Sequence, residues 1–94
     1  MKTLKKHLED KLNNPKFKEL YDEEKELAEI TVKIQQQREN QGLTQKEVAE
    51  KAHITQQQLS KVENGENCNI ITFLKVCRAL ELELNFKDKK RVRA

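Results

Sequence analysis

Ninety-four residues, 35% hydrophobic and 37% charged, with two glycines, one proline and no tryptophan, make one small domain with a thin core and exclude collagen-like and Gly/Pro-rich chains. The Val- and Ile-rich runs that a buried parallel sheet requires are absent, so the composition favours an all-α fold. The net charge of +3 is unevenly spread: seven basic residues face eight acidic ones in residues 1–30, and the excess of Lys and Arg lies in the last two thirds, where a polyanion is expected to bind.

Leu4, Leu8 and Leu12 recur every four residues among Lys, Glu, Asp and His, the narrow apolar stripe of a short amphipathic helix. Asn13-Asn14-Pro15 stops it, with Asn14 predicted to cap a second helix that begins at Pro15. Phe17, Leu20, Tyr21, Leu27, Ala28, Thr31, Val32 and Ile34 keep helical spacing to about Gln41, and the acidic run Asp22-Glu23-Glu24 is the place where a break is anticipated. Gly42 then ends the helix, since glycine enters the left-handed region without a Cβ penalty.

Thr44-Gln45-Lys46-Glu47 is a capping box: the Thr hydroxyl accepts from an amide three residues on and the Glu carboxylate accepts from the Thr amide. Val48, Ala49 and Ala52 give this helix a short buried face. After only His53-Ile54, the run Thr55-Gln56-Gln57-Gln58 starts another helix, with Leu59 and Val62 inward and Gly65 past its end. Two short helices joined by a tight turn, with small Ala49 at their crossing, make a helix-turn-helix.

The ordered series Gly42-Leu43-Thr44-Gln45-x-Glu47-Val48-Ala49 and Ile54-Thr55-Gln56-Gln57-x-Leu59-x-x-Val62-Glu63-Asn64-Gly65 resembles the helix-turn-helix of lambdoid phage repressors and of the wider Xre-type regulators, and Phe73 to Leu80 resembles that family's following helix. The resemblance spans about residues 30–80 and implies an all-α, lambda-repressor-like bundle that binds double-stranded operator DNA. It implies that Gln45 holds a phosphate at a helix N-terminus and that Gln56 and Gln57 reach base edges in the major groove, where an amide can pair with adenine N6 and N7. Lys61 would meet guanine or phosphate and Asn64 the backbone, with Thr55 and Ser60 on the same DNA-facing surface. It further implies an ion pair between Arg38 and Glu63 that fixes the angle of the recognition helix. The family often has Gly where His53 and Glu81 stand, and those two departures bear on local turn geometry.

Leu80, Leu82, Leu84 and Phe86 alternate with polar residues at period two, the pattern of a half-buried strand, while phage repressors carry a fifth helix here; both forms remain open. A strand at this place needs a partner from another chain, either the same segment across a twofold axis or the sheet edge of a different protein. The last residues, 87–94, form a basic tail with little to bury.

The N-terminal order Leu12-Asn13-Asn14-Pro15-Lys16-Phe17-x-x-x-Tyr21, followed by an acidic stretch, is similar to the extension of HigA-type antitoxins. Members of that group neutralise a RelE-fold (HigB-type) ribonuclease toxin and repress their shared promoter. The resemblance implies that Leu4, Leu8, Leu12, Phe17 and Tyr21 contact the toxin, although the same residues could instead close the core or a homodimer. The expected organisation is a helical extension over 1–27, a DNA-binding domain over 28–86 and the tail, acting as a homodimer. A stand-alone phage-type repressor and an interaction adaptor that no longer touches DNA are the competing readings. The three polar side chains Gln56, Gln57 and Lys61 on one face weigh against the adaptor.

No nucleophile or second base has a place beside His53, so no catalytic residue, and no enzyme, is expected. Cys68 and Cys77 lie nine residues apart without metal-ligand spacing, which argues against a zinc site, and nothing calls for a cofactor. The longest apolar run is two residues and no leader pattern opens the chain, so no membrane span is expected and the protein is read as cytoplasmic, with reduced thiols.

Overall fold

A computed structural model describes residues 13–89; the expectations placed on Leu4, Leu8, Leu12 and the tail from residue 90 onward lie outside that span. Among the described residues four helices follow one another: α1 Pro15–Asn40, α2 Gln45–Ala52, α3 Gln56–Glu63 and α4 Ile70–Ala79. The fold is the all-helical bundle that the sequence predicts, with the helix-turn-helix formed by α2 and α3, and no strand occurs among the described residues.

Local chemistry sets each helix start. Asn14 accepts from the amides of Lys16 (3.0 Å) and Phe17 (3.4 Å), with Pro15 occupying the first helical position, where a missing N–H costs nothing. Thr44 and Glu47 close their capping box at 3.1 Å in both directions. A second box, absent from the sequence reading, joins Thr55 to Gln58: the Gln58 amide N–H donates to the Thr55 hydroxyl at 3.0 Å, and the Thr55 amide donates to the Gln58 side-chain oxygen at 2.9 Å. Asn69 caps α4 by accepting from Ile71 at 2.7 Å.

All four helix ends use one device. A residue with positive φ reverses the chain, and its amide and the next one return to carbonyls of the last turn, so two otherwise unpaired carbonyls are satisfied each time. Gly42 (φ 69°) and Gly65 (φ 71°) fill this place after α1 and α3, while His53 (φ 57°) and Glu81 (φ 59°) fill it after α2 and α4. The two non-glycines carry a left-handed penalty of about 1–2 kcal/mol each. They are the two positions where the sequence departs from the glycine of its look-alikes.

Among the described residues the core is small and lies at or beyond residue 34. Ile34, Val48, Leu59, Val76 and Leu80 are its fully buried large side chains, each contributing about 1.5–3 kcal/mol on burial. Ala49, Ala52 and Ala79 let the helices approach closely, and Leu43, Ile54, Phe73 and Leu82 pack around them.

α1 has 26 residues, about 39 Å of helix, and runs unbroken through Asp22-Glu23-Glu24 and through the expected boundary between residues 27 and 28. Carboxylates on a solvated helix face do not interrupt it. Ile34 is its one buried residue, and residues 18–30 are exposed, so the first turns of α1 project beyond the buried core, while Leu27 approaches Gly65 just past the end of α3. Val32 keeps helical spacing yet is 47% exposed, because it lies on the face opposite the core.

Residues 82–89 form neither the strand nor the fifth helix that the sequence left open. The reversal at Glu81 ends helical propagation, and no strand edge exists within the described chain for the segment to pair with. Its apolar side chains emerge progressively: Leu80 is buried, Leu82 half-buried, Leu84 45% exposed and Phe86 96% exposed.

Candidate nucleic-acid interface

Helical geometry sorts the residues of α3 into two faces. At 100° per residue, Gln56, Gln57, Ser60, Lys61 and Asn64 fall within an arc of roughly 140°. Leu59, Val62 and Glu63 fall outside that arc and are buried, with Glu63 at its edge, next to Gln56. Gln56, Gln57, Lys61 and Asn64 are exposed and Ser60 is half-buried, so the polar arc forms one continuous surface of the domain.

Gln56 and Gln57 occupy the first turn of α3, where amide groups and the positive end of the helix dipole point outward. Neither glutamine is used as a cap, because Gln58 takes that task. Thr55, expected at the DNA surface, has its hydroxyl engaged in the capping box. Asn64 donates to the Ser60 hydroxyl at 3.3 Å, which ties two of the expected contact residues to each other. Gln45, the first residue of α2, is half-buried beside a second helix N-terminus. The surface can donate and accept hydrogen bonds and carries the Lys61 ammonium, the combination that base edges and phosphates require.

The end of α3 is anchored on α1. Arg38 Nε donates to both Glu63 carboxylate oxygens at 3.2 and 3.1 Å, Nη2 to one of them at 3.0 Å, and Nη1 to the Leu43 carbonyl at 3.0 Å. The Glu63 side chain is 2% exposed and that of Arg38 17%. Buried as it is, the carboxylate relies on this guanidinium fork for its solvation.

Three glutamines of α1 that the sequence reading passed over extend the anchoring. Gln35 donates to the Glu63 carbonyl at 2.7 Å, and Gln37 and Gln41 both donate to the Leu80 carbonyl, at 3.1 and 2.9 Å. The sequence signal was the polar cluster Gln35-Gln36-Gln37 on a helix, but spacing alone cannot say which amide meets which carbonyl. Every buried side-chain nitrogen or oxygen among the described residues has a partner.

Two ionisable groups are displaced. The Thr44 amide, and secondarily its hydroxyl, holds the Glu47 carboxyl below the usual carboxylate range, which keeps the capping box charged. Burial pushes the Cys77 thiol up, so it behaves as an apolar group, while Cys68 is exposed. Among the described residues no group of three His, Cys, Asp or Glu is placed to hold a metal ion, and no helix is long and apolar enough to cross a membrane.

A second feature lies away from the polar arc. Ile30 and Ile34 of α1, Phe73 and Leu74 of α4, and Leu82 and Leu84 of the carboxy-terminal segment line an open groove of about 1010 Å³. Glu26, Glu29 and Glu83 also border it, and none of its lining residues comes from α2 or α3.

Comparison with known proteins agrees with this geometry. The helix-turn-helix family model HTH_3 matches residues 34–87, more than half of the chain. A solved structure titled "MDT Protein" is similar at 32% identity and a TM-score of 0.63, covering 68% of this chain and 92% of that one. No curated protein matches significantly. With α2, α3 and the core that holds them inside the matched span, the chain belongs to the HTH_3 helix-turn-helix family of DNA-binding transcription regulators.

Proposed function

We propose that this regulator is the antitoxin of a type II toxin–antitoxin pair, which represses its own promoter as a dimer and neutralises a RelE-fold ribonuclease toxin. The observation that carries the antitoxin reading is the amino-terminal half of α1. It projects beyond the buried core, presents Leu20 at 60% and Tyr21 at 37% exposure, stacks Tyr21 on Phe17 at 6.5 Å, and places six carboxylates against three lysines in residues 16–29. Apolar anchors with an acidic rim suit a basic ribonuclease, giving affinity and steering together. Residues 1–27 are accordingly the toxin-binding extension, with Leu4, Leu8 and Leu12 continuing the apolar stripe in sequence, residues 28–86 the DNA-binding domain and residues 87–94 a basic tail. Gln45, Thr55, Gln56, Gln57, Ser60, Lys61 and Asn64 are the DNA contacts.

The dimer reading rests on the groove between α1, α4 and the 82–86 segment. It leaves the polar arc of α3 free, and an apolar surface of that extent, flanked by Ile70 at 72% and Phe86 at 96% exposure, is costly to leave in water. A second copy, with the two 82–86 segments paired across the twofold axis, would cover both grooves and use the unpaired backbone.

The test is co-purification of the full chain with the product of the adjacent reading frame. Replacing Phe17 and Tyr21 together by Glu is expected to weaken toxin capture at least tenfold, about 1.4 kcal/mol or more, while binding to the upstream DNA persists. Undiminished capture would move the toxin contact elsewhere, and a failure of the parent to bind upstream DNA would refute self-repression.

A further inference from the structure

Gln35 is assigned no role by the helix-turn-helix motif, yet it makes the shortest of the hydrogen bonds from α1 to the rest of the domain. Its side-chain amide donates at 2.7 Å to the carbonyl of Glu63, the last residue of the recognition helix α3. That carbonyl belongs to the final turn, whose acceptors have no partner within the helix. Arg38, one turn along α1, grips the carboxylate of the same residue. Immediately beyond, Gly65 lies so close to α1 that an added Cβ would stand 3.3 Å from the Thr31 methyl and 3.4 Å from Leu27. Leu27, Thr31, Gln35 and Arg38 therefore form one seam along α1 that holds the end of α3 by its packing, its backbone and its side chain.

These three holds are not equivalent. A guanidinium fork on a carboxylate constrains the tip of a side chain with several rotatable bonds, and the helix can shift while the pair stays intact. A donor on a backbone carbonyl fixes the helix axis itself. Gln57 and Glu63 are six residues apart, about 9 Å of helix, so a 1 Å displacement at the Glu63 end tilts α3 by roughly 6° and carries Lys61 and Asn64 with it. A binding constellation tolerates about 0.5 Å and 10–20°, so the tilt itself is within tolerance, but the displacement that it produces, about 0.7 Å at Lys61 and about 1.2 Å at Asn64 with Gln57 as the pivot, is not. We propose that Gln35 is a positioning residue for sequence readout: through the Glu63 carbonyl it sets the docking angle of α3, and it governs discrimination between DNA sequences more than affinity for DNA in general.

The experiment rests on the assignment of α3 as the reading helix, and it uses the full chain with a duplex selected by the parent from a random pool and a scrambled duplex of equal length. Gln35→Ala is expected to lower the ratio of selected to scrambled affinity roughly tenfold, with binding to scrambled DNA and its salt dependence unchanged, because phosphate contacts are retained. Gln35→Lys, which keeps a donor on a flexible stem one bond longer, should restore most of the ratio, and Gln35→Glu, which presents a carboxylate to a carbonyl, should not. Gln36→Ala, on an exposed neighbour, is the control and should match the parent. If the Ala variant is unfolded at the assay temperature, the Lys and Glu variants carry the comparison. A parental ratio in Gln35→Ala or Gln35→Glu, or an equal loss on both duplexes, would overturn the proposal. A parent that selects no sequence would overturn it together with the reading-helix assignment.

Discussion

Removing the Arg38 guanidinium tests how the domain holds its recognition helix. In the parent, three hydrogen bonds of 3.0–3.2 Å converge on a Glu63 carboxylate that is almost wholly shielded from water. Arg38→Ala leaves that charge buried and removes the donor to the Leu43 carbonyl as well. Breaking a buried pair in this way costs about 3–5 kcal/mol. Since the Arg38 side chain is 17% exposed, water can partly replace it, and the lower end, about 3 kcal/mol, is the expected loss. For a domain of this size each kcal/mol corresponds to about 4–8 °C, so the melting temperature should fall by roughly 12–24 °C. Urea denaturation with the midpoint read by circular dichroism measures the loss. Lys51→Ala, on an exposed helix position, serves as the control and should stay within about 0.5 kcal/mol of the parent. Replacing both partners together, Arg38→Met with Glu63→Leu, should recover much of the loss, because the penalty lies in the orphaned charge rather than in the missing attraction. An Arg38→Ala midpoint indistinguishable from the parent would refute this reasoning and require that water solvate the Glu63 carboxylate.

Further outcomes follow from the helix ends and the reading face. His53→Gly and Glu81→Gly should each stabilise the fold by about 0.5–1 kcal/mol, the left-handed penalty less the extra entropy of glycine. Gly65→Ala should destabilise it, since φ is +71° and the Thr31 methyl is 3.3 Å from the new Cβ; urea midpoints of the three variants check both signs. Operator affinity should fall steeply with salt, with a slope of log K against log salt of about 4 or more in magnitude for a dimer, because each phosphate contact contributes about 0.9. A flat titration would show that phosphate contacts do not drive binding.

Much of the site was legible because its determinants are local. Capping residues, a glycine after each of α1 and α3, and the alternation of buried and exposed positions over 44–65 specify two short helices and the side of α3 that faces water. The ordered motif residues then identify the DNA-binding family. Sequence alone also placed His53 and Glu81 at turns where glycine is usual. Tertiary structure decided what depends on partners distant in the chain. The Gln35 and Arg38 seam on Glu63, and the meeting of Gln37 and Gln41 on the Leu80 carbonyl, join residues 25 to 43 positions apart. No periodicity encodes that pairing. Period two in Leu80 to Phe86 was a true pattern without a fold of its own: alternation sorts side chains between two faces, whereas a strand exists only once another backbone is there to accept its hydrogen bonds, and none lies within the described chain.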